Sequence, residues 1–171
     1  FEECEQISQD EGDETLSSCK TNNKLVILPL IKARLLENDK EIVSLCDSGA
    51  SSTVVDMKTM IEKLGRTRFL EKLDKTGQMP CFRTADGNVT SPLGKIPLQI
   101  FIDEVLFEWE AWVLPSCAHE IILGNDFNAA MQAVIDYRTG KILYTSRLGQ
   151  EAQVRFVTKS VNANERPRQS V

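Results

Sequence analysis

Histidine is almost missing from this chain, and its scarcity excludes more chemistry than any residue present. The single imidazole is His119, so a Ser-His-Asp or Cys-His nucleophile would have to be built on that one residue. A zinc centre made from histidines is equally poorly supplied, and the five cysteines (Cys4, Cys19, Cys46, Cys81 and Cys117) form no C-x-x-C pair. Their odd number and wide spacing suit reduced thiols in a reducing compartment, with Cys46 and Cys117 as small core residues. No run approaches about 18 consecutive apolar residues, which argues against a membrane-spanning helix. The first residues are acidic, unlike the basic start and apolar core of a secretory leader. Positive charge is not in excess either. A formal charge of −5 argues against nucleic-acid binding, which needs clustered Lys and Arg.

What is present is an ordinary globular composition, 42% hydrophobic and 26% charged over 171 residues, sufficient for one domain with a real core. Residues 1–23 carry Glu2, Glu3, Glu5, Asp10, Glu11, Asp13 and Glu14 among few apolar residues and read as a disordered acidic arm. Residues 147–171 turn basic and read as a partly disordered tail, in which Val154, Phe156 and Val157 could still form a strand.

Between the arms, residues 24–146 are patterned mostly as short strands. LVILPL (25–30) running into IKARLL (31–36), EIVSLC (41–46), TVV (53–55), KIPLQIFI (95–102), VLFEWEAWVL (105–114), EIILG (120–124), AVIDY (133–137) and KILYT (141–145) are apolar or alternating. Asp103-Glu104 is expected to turn one hairpin, and Asp86-Gly87 another spanning 79–94, as a type I′ turn. DMKTMIEKLG (56–65) predicts a helix capped by Asp56 and stopped by Gly65, and DFNAAMQA (126–133) a second. The expected class is all-β with two short helices, folded as a small closed β-barrel.

One segment carries chemistry. In CDSGASSTVV (46–55) a carboxylate, Asp47, follows an apolar strand and precedes Ser48, Gly49 and Ala50. Gly49 permits a sharp turn, Ala50 leaves room for another chain, and Ser48 and Thr53 can hydrogen-bond within the loop. Asp-Ser-Gly is also an ordinary polar turn in β proteins, so the tripeptide alone decides nothing.

Its surroundings decide more. The segment resembles the retropepsin signature, Asp-[Ser/Thr]-Gly-Ala-x-x-Thr-Val, at Asp47, Ser48, Gly49, Ala50, Thr53 and Val54. IILGNDF (121–127) resembles the family's second hallmark, an apolar strand ending in glycine before a short helix. The 79–94 hairpin falls between the two, where that family keeps its flap. RTADG, LPSCAHEIILGNDF and AVIDYRTG are similar to proteases of Gypsy-type LTR retrotransposons and endogenous retroviruses.

The resemblance implies a homodimeric aspartic endopeptidase with a retropepsin-type barrel and no cofactor or metal. Its catalytic residue would be Asp47, one from each chain, since Asp-Ser-Gly occurs once and 171 residues leave no room for a second lobe. Ala85, Asp86, Gly87 and Asn88 would form a substrate-binding flap, and Gly124 and Asp126 would be structural, Asp126 as an N-cap or arginine partner. Ser51 stands where viral relatives often carry an acidic residue that grips substrate. Trp109 and Trp112 lie on opposite faces of one strand, and His119 is expected in an exposed loop without catalytic duty. The implied substrate is an extended peptide of a retroelement polyprotein, in the cytoplasm or a virus-like particle. The alternative is a host-domesticated domain, either a cellular protease or a silent dimerisation module.

Overall fold

The structure, a computed structural model, describes residues 25–84, 86–157 and 160–162. The acidic arm therefore lies outside the described residues, as do Ala85 and the last nine positions. Thirteen strands and three helices occur among the described residues. Six strands close a barrel: β2 (Leu30–Leu35), β3 (Glu41–Cys46), β4 (Val54–Asp56), β7 (Gly94–Ile102), β8 (Val105–Leu114) and β9 (Ile121–Leu123). Their order is β9-β3-β2-β7-β8-β4, and β4 closes the ring by pairing antiparallel with β9.

Alternation sets the barrel's inside. Ile31, Ala33 and Leu35 of β2 and Ile96, Leu98, Ile100 and Ile102 of β7 are all buried, while their neighbours face outward. Asp103 and Glu104 both have positive φ, 52° and 65°, so the β7–β8 hairpin is the one that uses a type I′ turn. The 25–36 run is broken at Leu28-Pro29: β1 (Leu25–Ile27) leaves the barrel and pairs instead with β13 (Ser160–Asn162).

The helix α1 (Met57–Leu64) forms as its sequence predicts. Asp56 accepts from the Thr59 amide and hydroxyl, and the Gly65 amide caps the far end on Ile61 O. A further helix, α2 (Arg66–Lys72), follows directly, in addition to the two that the sequence predicts. Phe69, buried in the core, is its single strong anchor, too little periodic signal to stand out. The late helix α3 is Asn125–Ala130.

The flap strands are only β5 (Phe82–Arg83) and β6 (Val89–Thr90). Their connection is not a type I′ turn on Asp86-Gly87. Thr84 O accepts from Gly87 N, Thr84 N donates to Asn88 O, and only Gly87 of that dipeptide has positive φ (90°), the pattern of a three-residue loop. After α3, β10 (Val134–Asp136), β11 (Lys141–Thr145) and β12 (Glu151–Arg155) form a meander. Packing thus continues past residue 146: Ala152 and Phe156 belong to the main core.

Candidate active site

The loop after β3 is held by the segment that follows β9. Parallel pairing sets Leu123 beside Cys46, and the Asp47 amide donates to Leu123 O at 3.0 Å. Asp47 is half-buried at the barrel's end, and its Oδ1 accepts from the Gly49 amide at 2.9 Å. The loop turns back through Ala50 N to Asp47 O. Ser48, Gly49 and Ser51 are exposed on this face, with Ala50 half-buried.

Each hallmark residue of the second segment then meets the first. The Asn125 amide donates to Ala50 O at 2.7 Å and Asp126 N to Ser51 O at 3.3 Å. Buried Thr53 accepts from Gly124 N at its hydroxyl oxygen and donates that hydroxyl to Asp126 Oδ1 at 2.7 Å. Asp126 Oδ2 also accepts from Thr53 N at 3.1 Å and from Trp109 Nε1 at 3.0 Å. The expectation that Asp126 caps the helix or pairs with an arginine is therefore corrected. It bolts the Asp47 loop to β8 and α3, and Arg147 stacks over Trp109 rather than pairing with it.

Gly124 is required by proximity. A Cβ there would lie 2.5 Å from Ser52 O and 3.0 Å from Ala50 O, closer than any side chain tolerates. At Gly49 a Cβ would stand 3.2 Å from the Asp47 carboxylate.

A small apolar cluster forms around β4, the end of β8, the 82–90 hairpin and β9. Val54, Phe82 and Leu114 are buried there with Trp112, Cys117 and Ile122 against them, and Phe82 meets Trp112 edge to face at 6.1 Å. Phe82 is the foot of the 82–90 hairpin, the segment that the resemblance would make a flap. At its tip the Asp86 carboxylate accepts from the Thr84 hydroxyl and from the Asn88 amide and side chain, which holds it below the usual carboxylate range. Trp109 packs on the main core and Trp112 on the small cluster of Val54, Phe82 and Leu114.

His119 is placed differently from its expectation. It is half-buried in the β8–β9 loop, where burial pushes its imidazole pKa down while the negative charge of Asp47 pulls it up. That loop is pinned at Cys117 N to Asp56 Oδ1 and at Glu120 Oε1, which accepts from Val43 N. No sequence signal marks a histidine five residues before Gly124 as a neighbour of Asp47, 72 positions earlier. A separate open cleft of about 570 Å³ beside Trp109 and Arg147 does not include Asp47. Among the described residues, no cluster of side chains could hold a metal ion.

A family described as "Aspartyl protease" matches residues 31–127, which takes in both the Asp47 loop and the Gly124-Asn125-Asp126 bolt. The chain belongs to the aspartyl proteases. Among solved structures it is similar to the retroviral protease-like domain of Ddi1 from Leishmania major. The identity is 16%, the TM-score 0.58, and the match covers 78% of this chain and 96% of that one. EIAV protease complexed with the inhibitor HBY-793 also aligns, at 16% identity and a TM-score of 0.41, over 68% of this chain and 94% of that one. No curated protein matches the chain. The barrel is thus that of a retropepsin-like aspartyl protease.

Proposed function

We propose that this aspartyl protease is an active endopeptidase that works as a homodimer on an extended peptide of a retroelement polyprotein. The observation that carries the reading is the Asp47 loop: a carboxylate at the barrel's mouth, oriented by a backbone amide and braced by Thr53 and Asp126. Peptide hydrolysis needs a base and an acid together, and one carboxylate cannot readily be both. The second is Asp47 of another copy, the two sharing one proton because charges that close cannot both ionise.

In this scheme the unprotonated carboxylate takes a proton from water as its oxygen attacks the scissile carbonyl carbon. The protonated partner gives its proton to the carbonyl oxygen, forming a tetrahedral diol. The diol then collapses: one of its hydroxyls gives its proton to the ionised carboxylate as the carbonyl re-forms, the C–N bond breaks as the amine nitrogen takes the proton of the other carboxyl, and the pair is left sharing one proton again. Apolar side chains flanking the bond fill the groove floored by Val54, Leu114, Trp112 and Ile122. The flap, tipped by Asp86-Gly87-Asn88, closes over the peptide, excludes water and pairs with its backbone like an added strand.

The test is cleavage of model peptides by purified protein. It should be abolished by Asp47→Asn, blocked by a statine-type inhibitor, and lost on dilution below the dimer dissociation constant. Turnover by Asp47→Asn would overturn the reading. The likeness to the retroviral protease-like domain of Ddi1 supports a second reading, a host-domesticated domain with a cellular role. If that role is silent dimerisation, the protein self-associates normally yet neither cleaves peptide nor binds the inhibitor.

A further inference from the structure

The barrel's core contains a polar chain that peptide chemistry does not itself call on. Asn128 of α3 and Tyr144 of β11 are buried, 5% and 0% exposed, and so is Cys46. Asn128 Nδ2 donates to Leu123 O at 2.9 Å. A carbonyl can only accept, so the amide nitrogen must face it, leaving Asn128 Oδ1 to accept from the Tyr144 hydroxyl at 2.9 Å. With that hydroxyl's proton committed, the Cys46 thiol is the donor in its 3.0 Å contact with Tyr144 Oη. Burial pushes the thiol up to about 12 and the phenol upward as well, so both keep their protons through the working range.

The chain closes on itself through the catalytic loop. Leu123 O, which takes Asn128 Nδ2 on one lone pair, takes the Asp47 amide on the other. The ring therefore runs from the Cys46 side chain through Tyr144, Asn128 and Leu123 O to Asp47 N, gripping the Cys46–Asp47 peptide unit at both ends. Tyr144 is itself wedged edge to face against Phe107 and Phe127, at 5.9 and 5.3 Å, so the ring is anchored in the densest part of the core.

We propose that Asn128, Tyr144 and Cys46 are positioning residues whose closed hydrogen-bond ring sets the aim of the Asp47 carboxylate. The kinetic part of this rests on the peptidase reading above. Two carboxylates share a proton only while their separation is held, and a loosened Asp47 peptide weakens that coupling. Weaker coupling brings the two titration steps of the pair closer, so the pH range in which one proton is shared narrows from both sides. The neighbouring titratable groups are Cys46 and Tyr144, neutral throughout, and His119, which is the same in every variant.

The test compares wild type, Tyr144→Phe/Asn128→Leu, Cys46→Ser and Tyr137→Phe, an exposed control. The double variant removes both buried polar partners together, so neither is left stranded and the fold is retained. Its kcat should fall about tenfold with KM within about twofold, its active pH range should narrow at both limbs, and hydrogen exchange at the Asp47 amide should quicken. Cys46→Ser keeps a donor in the ring and should stay near wild type, as should Tyr137→Phe. Unchanged kcat and pH width, or a loss equal at every pH that follows the unfolded fraction, would overturn the proposal. Should wild type cleave nothing, the peptidase reading falls by itself. The Asp47 exchange rate then decides the ring, and a rate unmoved in the double variant sinks it.

Discussion

The Asp47 loop, the floor of the proposed site, and the 82–90 hairpin, its proposed flap, are built on opposite principles. In the floor, the Asp47 loop is tied by side chains and amides drawn from β8, β9 and α3, and Thr53 within it is fully buried. The flap rests on two two-residue strands, with Val89 60% exposed and a tip closed by its own Thr84, Asp86 and Asn88. Few long-range contacts hold the flap, so it can open at small cost in global stability, while the floor cannot shift without the barrel. On the proposed reading, pre-organisation is placed where charge must be aimed, and freedom where a peptide would enter.

The sharpest test of that contrast is chemical. Asp47→Asn should lower cleavage about a thousandfold, within the range that a lost acid–base group produces, while the fold persists, because Asn keeps the Gly49 contact. An excess of Asp47→Asn chains should also poison wild-type activity in mixing experiments. Proportional activity at every ratio would mean that one chain suffices.

Next in size is Gly124→Ala. Its methyl would lie 2.5 Å from the Ser52 carbonyl, a backbone atom that cannot swing away. A loss of about 3 kcal/mol in denaturant unfolding is expected, at the upper end for overpacking. Gly87→Val should reverse that balance. It forces a β-branched residue to φ 90°, a strain of about 1–3 kcal/mol that the thinly held hairpin relieves by rearranging locally, so the barrel's unfolding midpoint should shift less than for Gly124→Ala while cleavage drops about tenfold. A variant that unfolded but cut normally would mean the flap is misplaced.

The floor should also be the pH-sensitive region in unfolding. The Cys46 thiol titrates at about 12 when folded against an ordinary 9.0, so the unfolded chain gives up this proton first. Its contribution is whole below pH 9.0 and is lost as pH rises toward 12. His119 works the other way: its folded pKa is depressed below 6.5, so its contribution is present above that value and is lost as pH falls below it. Urea midpoints across pH, with Cys46→Ser flattening the alkaline limb and His119→Gln the acid one, check both signs. Smallest of all is Ser44→Ala. Ser44 Oγ is buried on the same strand without a hydrogen-bond partner among the described residues, so removing it should be neutral or stabilising by up to about 1 kcal/mol.

Strand positions, α1 with its Asp56 cap, the β7–β8 turn and the Asp47 motif are legible in the sequence because each depends on neighbours within a few residues. Alternation marks a face, Asp56 reaches Thr59 three positions on, and Gly49 touches the carboxylate two positions back. What joins distant segments is not legible. Asp126 reads as a helix cap, and only the antiparallel pairing of β9 with β4 brings it to Thr53, 73 positions away. α2 folds because Phe69 finds the core, and the flap tip closes through Asp86 as acceptor where its dipeptide suggests a tighter turn. The ring through Cys46, Asn128 and Tyr144 has no pattern in sequence at all: three common residues become one device because barrel closure buries them, and buried polar groups must find one another.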